Sequence, residues 1–455
     1  MSSLVDRAII KAYWRLLPIL FLSYIIAYVD RNNVALAKLK MVDDLPSFHS
    51  NTQSIFALGQ TLFFIGYLLL EIPGTLLVER WSARKWICRI MITWGILAAL
   101  TAVVTRPWHF YLLRFLLGLA EAGFFPGVIV YLTHWFPAQA RARALSLFLI
   151  ATPVAQFITP KISYYILRMG TRENGIYYRT LFNWRGWQWM YIIWGLPSVI
   201  LGVIVLFFLT DRPRDARWLN DDERNSLEEE LALEIEHRKS AGGHLTIFQA
   251  LRHVKVILLA AAYFFIVTGN YGVELFLPTI LRDWYHLNDS VLTWLLMIPP
   301  LGSLIGMLVI GFSSDRTKER RFHAAIPILI GAIGLGLTLI RNQPLTTIII
   351  LFTLTSIGTK AYLPAFWSLP SLFLSESAAA GSIGLINSIG NLGGGVGPLL
   401  LGVLKDRTGS FFLGILLLSI SMGITSIILM ALRFSREHQK TLSPSFDEIY
   451  ESTRL

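Results

Sequence analysis

Asp30, Arg31, Arg114 and Glu121 are the residues of this chain best placed to do chemistry, because each lies inside an apolar run long enough to cross a bilayer. An ionised side chain near the bilayer centre costs roughly 2.5–3.5 kcal/mol even on lenient insertion scales. Such charges must pair, face water or handle a charged substrate. Asp30 and Arg31 adjoin in "YIIAYVDRNNVALA", while Arg114 and Glu121 stand seven residues apart in "RFLLGLAEAGFFPGVIVYLTHW". Seven residues is close to two helical turns, so the second pair shares a helix face.

Depth follows from about 1.5 Å per residue across a core of about 30 Å. Asp30 then lies roughly 20 Å from the inner end of an outward-running first span. Arg114 lies about 8 Å below the outer surface of an inward-running fourth span, at nearly the same level. An Asp30–Arg114 ion pair is expected, with Glu121 two turns deeper, near the midplane. A carboxylate in a low dielectric takes up a proton more readily than one in water, so Asp30 and Glu121 are the proton-coupling candidates. Arg31 offers a planar donor fork that fits a substrate carboxylate. The same four charges also fit a permanent structural ion network.

The elements that must hold these residues are membrane helices. The 455 residues are 54% hydrophobic and only 15% charged, with a mean hydropathy of +0.56. A soluble chain carries about 25% charged residues. Windows of about 20 apolar residues predict twelve spans, at 14–36, 54–78, 86–105, 109–133, 142–167, 188–209, 255–281, 290–312, 323–340, 347–373, 380–403 and 410–433. The expected organisation is an all-α protein of two six-helix bundles, 1–210 and 255–435. A cytoplasmic linker (211–254) with a charged helix in "DDERNSLEEELALEIEHRK" joins them, and a tail follows at 436–455. With the N-terminus inside, Lys and Arg concentrate in the cytoplasmic segments, apart from four arginines between Arg168 and Arg185. The net charge of +11 then reflects loops and does not call for a nucleic-acid partner. The single Cys88 allows no intramolecular disulfide and argues against a metal site. The first apolar run ends in Asp30-Arg31 rather than a small-residue cleavage site, so no cleaved signal is expected.

Further candidates surround the same level. Tyr28 and Tyr67 would face a shared cavity or serve as ordinary packing tyrosines. Asn387 and Asn391 lie in "GLINSIGNLGGG", where amides need partners or helices pack closely. Trp367 in "AFWSLP" borders the cavity or packs. Asn270 and Tyr271 sit between Gly269 and Gly272, where a helix could bend. Gln156 faces a direction that the sequence leaves open. Two matching loop motifs, "VERWSARK" (78–85) and "GFSSDRTKERR" (311–321), place Glu79-Arg80 and Asp315-Arg316 at equivalent points of the two halves. A carboxylate there could latch one conformation through nearby basic groups; plain positive-inside charge is the other explanation.

The loop motifs, twelve spans and central loop together resemble the major facilitator superfamily. Within it, "YVDRNNVALA", "RFLLGLAEAGFFPGVIVYLTHWFPAQARARA", "GWQWMYII", "NYGVELFLP" and "AFWSLP…GLINSIGNLGGGVGP" are similar to the anion:cation symporter family. That family includes bacterial hexonate, tartrate and phthalate carriers and vesicular glutamate and sialic acid carriers. The resemblance covers about residues 10–435. It implies both termini in the cytoplasm, proton coupling at Asp30 and Glu121, and anion binding at Arg31, with Arg114 holding the carboxylates. It also draws Asn387 toward the substrate.

Four positions depart from the family pattern. Lys360 stands mid-span where a small or apolar residue is usual. It could supply a second cation, suiting a dicarboxylate or bulky acid, or pair with a cavity carboxylate. Lys161 in "ITPKIS" is expected to snorkel outward, and Glu274 could pair with either lysine or form an outer gate. Trp194 replaces an expected acid.

Other signals are missing. There is no G-x-x-x-x-G-K-[ST] loop for ATP, no His/Cys cluster with metal spacing, and no Ser-His-Asp arrangement, so neither a catalytic residue nor a bound metal or other cofactor is expected. The sequence expectation is a monomeric, multi-pass protein of a bacterial inner membrane. It would import a small organic anion with protons, in contact only with lipid and cargo. Sodium stays open as coupling ion, and exchange, uniport and a non-transporting sensor stay open as alternatives.

Overall fold

The computed structural model describes residues 2–80, 82–173, 176–178, 180–240, 253–317, 319–370 and 376–432. The expected tail, 436–455, and residues 241–252 of the linker lie outside them. Before the linker come α1 (Ser2–Asp44), α2 (Thr52–Arg80), α3 (Ala83–Leu100), α4 (Pro107–Glu121), α5 (Phe124–Thr133), α6 (Ala138–Leu149), α7 (Ala151–Leu167) and α8 (Gly186–Phe208). The charged linker helix is α9 (Asp221–Ser240). After it come α10 (Val254–Tyr285), α11 (Asp289–Leu295), α12 (Ile298–Thr317), α13 (Arg321–Leu337), α14 (Leu345–Lys360), α15 (Leu363–Phe366), α16 (Glu376–Thr408) and α17 (Phe412–Ala431).

Among the described residues, ten helical stretches are long and apolar enough to cross a membrane. The ninth and eleventh expected windows hold α13, apolar but only 17 residues long, and α16, 33 residues rich in glycine and serine. Neither is among the ten. The only strands among the described residues are β1 (Arg172–Glu173) and β2 (Ile176–Tyr177), a two-residue antiparallel ladder in the arginine-rich segment, which the sequence reading did not anticipate. Large apolar side chains such as Ile200, Phe207, Ile305, Phe312 and Ile427 stand exposed on the helices. In this protein such faces meet lipid.

Local sequence explains the departures from the apolar windows. α1 begins about twelve residues before its apolar window because Ala8, Ala12 and Leu16 form a buried stripe at i, i+4 spacing. Pro18 is tolerated in the interior of this long helix. The fourth span is broken directly after Glu121: Gly123 adopts φ +86°, which glycine reaches without the Cβ penalty. Pro126 then sits in the first turn of α5, where a missing N–H costs nothing. The acids Asp221, Asp222 and Glu223 open α9 at the positive end of its dipole.

The helices before α9 pack mostly on one another, as do those after it. The main crossings are α2 along α16, α1 on α10, and α7 on α12. Gly394 and Gly402 let α16 approach α2 closely: a Cβ at Gly402 would lie 2.7 Å from both Ala57 Cβ and Gln53 O. Gly269 and Gly272 do not break their helix: α10 runs continuously through them. They seat Met422 and Leu418 of α17, which a Cβ would meet at 2.6 and 2.5 Å.

Candidate functional site

The helices bring the four charges together, but in a different pairing from the one that depth alone predicts. Arg31 Nε donates to Glu121 Oε1 at 2.5 Å. Asp30 does not meet Arg114. Its Oδ2 accepts from Trp94 Nε1 of α3 at 2.8 Å, while Arg114 Nη2 donates to Gln60 Oε1 of α2 at 2.5 Å. The cause is azimuth. Neighbouring residues on a helix point about 100° apart, so α1 turns Arg31 toward α4 and Asp30 toward α3. Asp30 Oδ1 and Glu121 Oε2 have no hydrogen-bond partner among the described residues.

Aromatic residues wall the Arg31–Glu121 pair. The guanidinium lies 5.4 Å from the Tyr67 ring centre and 5.7 Å from that of Phe63, and Nη1 reaches Tyr271 Oη at 3.4 Å. Phe63 also covers Arg114, at 4.8 Å. Glu121 and Arg114 are 1% and 2% exposed, so this network is closed to bulk water.

A second buried pair sits beside it. Lys360 Nζ, at the last residue of α14, lies 2.8 Å from Glu274 Oε1 of α10 and donates to Tyr28 Oη of α1 at 2.8 Å. Tyr28 Oη is 3.4 Å from both Glu274 oxygens. Of the two arrangements considered for Lys360 and Glu274, the structure contains their mutual ion pair. Asn270, Gln156 and Glu274 line a cavity of about 90 Å³ between α1, α7, α10 and α14.

Several expected residues lie elsewhere. Asn387 Nδ2 donates to Glu71 Oε1 at 2.6 Å, joined by Ser388 Oγ to Oε2 at 3.2 Å. Trp367 packs edge-on against Tyr263 at 4.9 Å. Lys161 does not snorkel freely; it lies 4.3 Å over the Trp294 ring. In the second loop motif, Asp315 pairs with Arg320 at 2.6 Å rather than with Arg316, which is exposed. For the first motif, Glu79 and Arg80 end α2, and their side chains lie outside the described residues.

Sequence reasoning missed Glu71, Gln60 and Lys38. Glu71 is an ionisable residue inside a predicted span and was findable by that rule alone. Lys38 falls two residues past the first apolar window, 14–36, yet it is buried 4.0 Å over the Phe276 ring. It belongs to a belt tying the two halves at the end of α1. There Arg282 Nη1 donates to Leu39 O at 3.1 Å, Lys40 pairs with Asp289 at 2.6 Å, and Asp406 accepts from Gln53 N and Ser54 N at 3.3 and 2.6 Å. Among the described residues no three His, Cys, Asp or Glu are grouped to hold a metal ion.

The family profile of the Major Facilitator Superfamily matches residues 20–398 and 259–453. The chain belongs to this superfamily. It is therefore a multi-pass integral membrane transporter and not an enzyme. Curated relatives include a putative tartrate transporter of Agrobacterium vitis, 40% identical over 95% of this chain and 96% of the relative. The putative metabolite transport protein NicT of Pseudomonas putida is 38% identical over 90% of this chain and 92% of its own length. Among solved structures, the inward open xylose transporter XylE from E. coli aligns at a TM-score of 0.71 over 94% of this chain and 99% of that one. At 15% identity that likeness is one of fold alone.

Proposed function

We propose that this superfamily member is a symporter that imports a small organic carboxylate with protons by alternating access. The observation that carries the reading is the Arg31–Glu121 pair, in which the guanidinium suited to a substrate carboxylate is already occupied by a carboxylate of the protein. Protonation of Glu121 frees Arg31, and an incoming carboxylate then takes the vacated donors. Proton and anion thus bind together. Asp30, held by Trp94, is the second proton site. Arg114 keeps the network's charge balanced. Asn270 and Gln156 line the cavity, Tyr28 and Tyr67 stand beside the two ion pairs, and Asn387 and Trp367 act from the inner side. Protons are favoured over sodium because Glu121 and Asp30 meet nitrogen donors rather than a cage of oxygens.

In this reading twelve helices form two bundles, 1–210 and 255–435, around the linker 211–254. Both termini are cytoplasmic, and the monomer sits in a bacterial inner membrane. The names of the tartrate and NicT relatives support an organic-acid cargo. The belt at the end of α1 lies on the outer side, so the structure represents an outward-closed state. Glu79-Arg80 and Asp315-Arg316 mark the inner ends of α2 and α12 as conformational latches.

The test is uptake of radiolabelled organic acids into proteoliposomes with an inward proton gradient, for wild type and Glu121→Gln. Gradient-driven accumulation that Glu121→Gln abolishes, with counterflow retained, is the expected result. Accumulation indifferent to the gradient overturns symport in favour of exchange or uniport. Binding without flux overturns transport.

A further inference from the structure

Lys360 stands in a built environment that the coupling scheme does not use. It is 6% exposed, held by Glu274 from a neighbouring helix of its own half and by Tyr28 from the opposite half. The Arg31–Glu121 pair has the same design, with Tyr271 as the hydroxyl from the opposite half. Tyr28 and Arg31 are three residues apart on α1, and Tyr271 and Glu274 are three apart on α10. Each spacing is a rise of about 4.5 Å. The two pairs therefore lie side by side across the interface between the halves, each fastened by a tyrosine next to the other pair. Glu274 also borders the 90 Å³ cavity, whose wall includes Asn32, Gln156, Thr159, Asn270 and Thr359. Asn270 Oδ1 has no hydrogen-bond partner among the described residues.

A buried ion pair adds little net stability and is commonly replaceable by apolar residues of like volume. Its Glu274 carboxylate borders a cavity into which the Asn32, Gln156 and Asn270 amides also open, and a displaceable carboxylate beside such a space points to a ligand. We propose that Lys360 is a second carboxylate-binding cation of the transport site and that the cargo is a short dicarboxylate. One of its carboxylates displaces Glu121 from Arg31; the other displaces Glu274 from Lys360. The inference rests on the organic-anion reading and adds to it the number of carboxylates and the residue that selects for the second. A monocarboxylate leaves Glu274 on Lys360 and gains nothing from it. The short spacing of the two pairs selects a short chain.

The experiment compares uptake of tartrate, malate and succinate with uptake of the monoamide of each, in proteoliposomes carrying wild type or Lys360→Met/Glu274→Gln. The double substitution removes both charges together and strands neither. Wild type should take up at least one diacid about tenfold or more faster than its monoamide, the order expected for hydrogen bonds to a charged group. In the double variant the ratio should fall to near unity. Wild-type preference for monoamides or hexonates over every diacid overturns the inference while leaving carboxylate symport standing; an unchanged ratio in the double variant does the same. Wild type that moves no acid overturns both readings. If the double variant fails to insert, competition on wild type decides: monoamides that inhibit diacid uptake as well as the diacids do refute a second cation.

Discussion

Removing Asp406 should loosen the contact between the halves at the end of α1, the outer side in the proposed orientation, by an amount that the contacts set. Near the end of α16, its carboxylate accepts from Ser54 N at 2.6 Å and Gln53 N at 3.3 Å, capping the first turn of α2 from the opposite half. A buried hydrogen bond to a charged group contributes about 1.5–3 kcal/mol. One of these is long and both are half-buried, so the pair is taken at about 1–2 kcal/mol. The carboxylate at the positive end of the α2 dipole adds about 0.3–1 kcal/mol. All of it is lost when the halves part. Asp406→Ala should therefore move the closed-to-open ratio by about 1.5–3 kcal/mol, or roughly 10- to 150-fold. The readout is labelling by a membrane-impermeant maleimide added outside. Cys88, the single cysteine, is first changed to Ser, and a reporter Ala35→Cys is placed in the cavity wall. Labelling should accelerate by about that factor, and Asp406→Asn, which retains an acceptor oxygen, should fall between. A rate within about twofold of the parent, in an Asp406→Ala protein of unchanged melting temperature, would refute the capping argument.

Three other outcomes are expected. Gly118→Ala would put a Cβ 2.0 Å from the backbone oxygen of Phe63; forcing α2 and α4 apart costs about 1–3 kcal/mol, visible as a lower melting temperature in detergent. Glu71→Ala strands the Asn387 amide and should slow uptake about tenfold; Glu71→Gln keeps an acceptor, so equal loss in both variants would argue against that bridge. Near the start of α1, Lys11 Nζ, 2.7 Å away, holds the Glu223 carboxyl below the usual carboxylate range. A depressed value stabilises docking of α9 above the unfolded value of about 4.3 and loses that contribution as pH falls through the lowered one. The protection of α9 amides, measured relative to the intrinsic exchange rate at each pH, should thus fall in acid for wild type. In Lys11→Met it should already be lower near neutral pH and depend less on pH in the acid range.

The apolar windows were enough to locate most helices, because a bilayer demands length and apolarity and both are local properties. They were poorer at ends and breaks. α1 continues inward on an alanine stripe that hydropathy does not register, and the break after Glu121 depends on one glycine at positive φ. The site residues Asp30, Arg31, Arg114 and Glu121 were legible as misplaced charges, yet their partners were not. Depth along a helix follows from counting residues, whereas rotation about its axis depends on packing against α3 and α4. Glu71 was overlooked although the same rule exposes it. Contacts between halves, such as Asp406 on the first turn of α2, leave no local trace in the sequence.

The placement of the two ion pairs bears on how such a chain is made. Arg31 and Glu121 both precede the linker, and Glu274 and Lys360 both follow it. Only tyrosine hydroxyls reach across. The first half can therefore leave the ribosome and enter the bilayer with these charges already compensated, long before its counterpart is translated. For these two pairs, neither half needs the other to compensate a bare ion. At these two pairs the partner half supplies only a neutral tyrosine hydroxyl, a contact that can be made and broken without separating either ion pair.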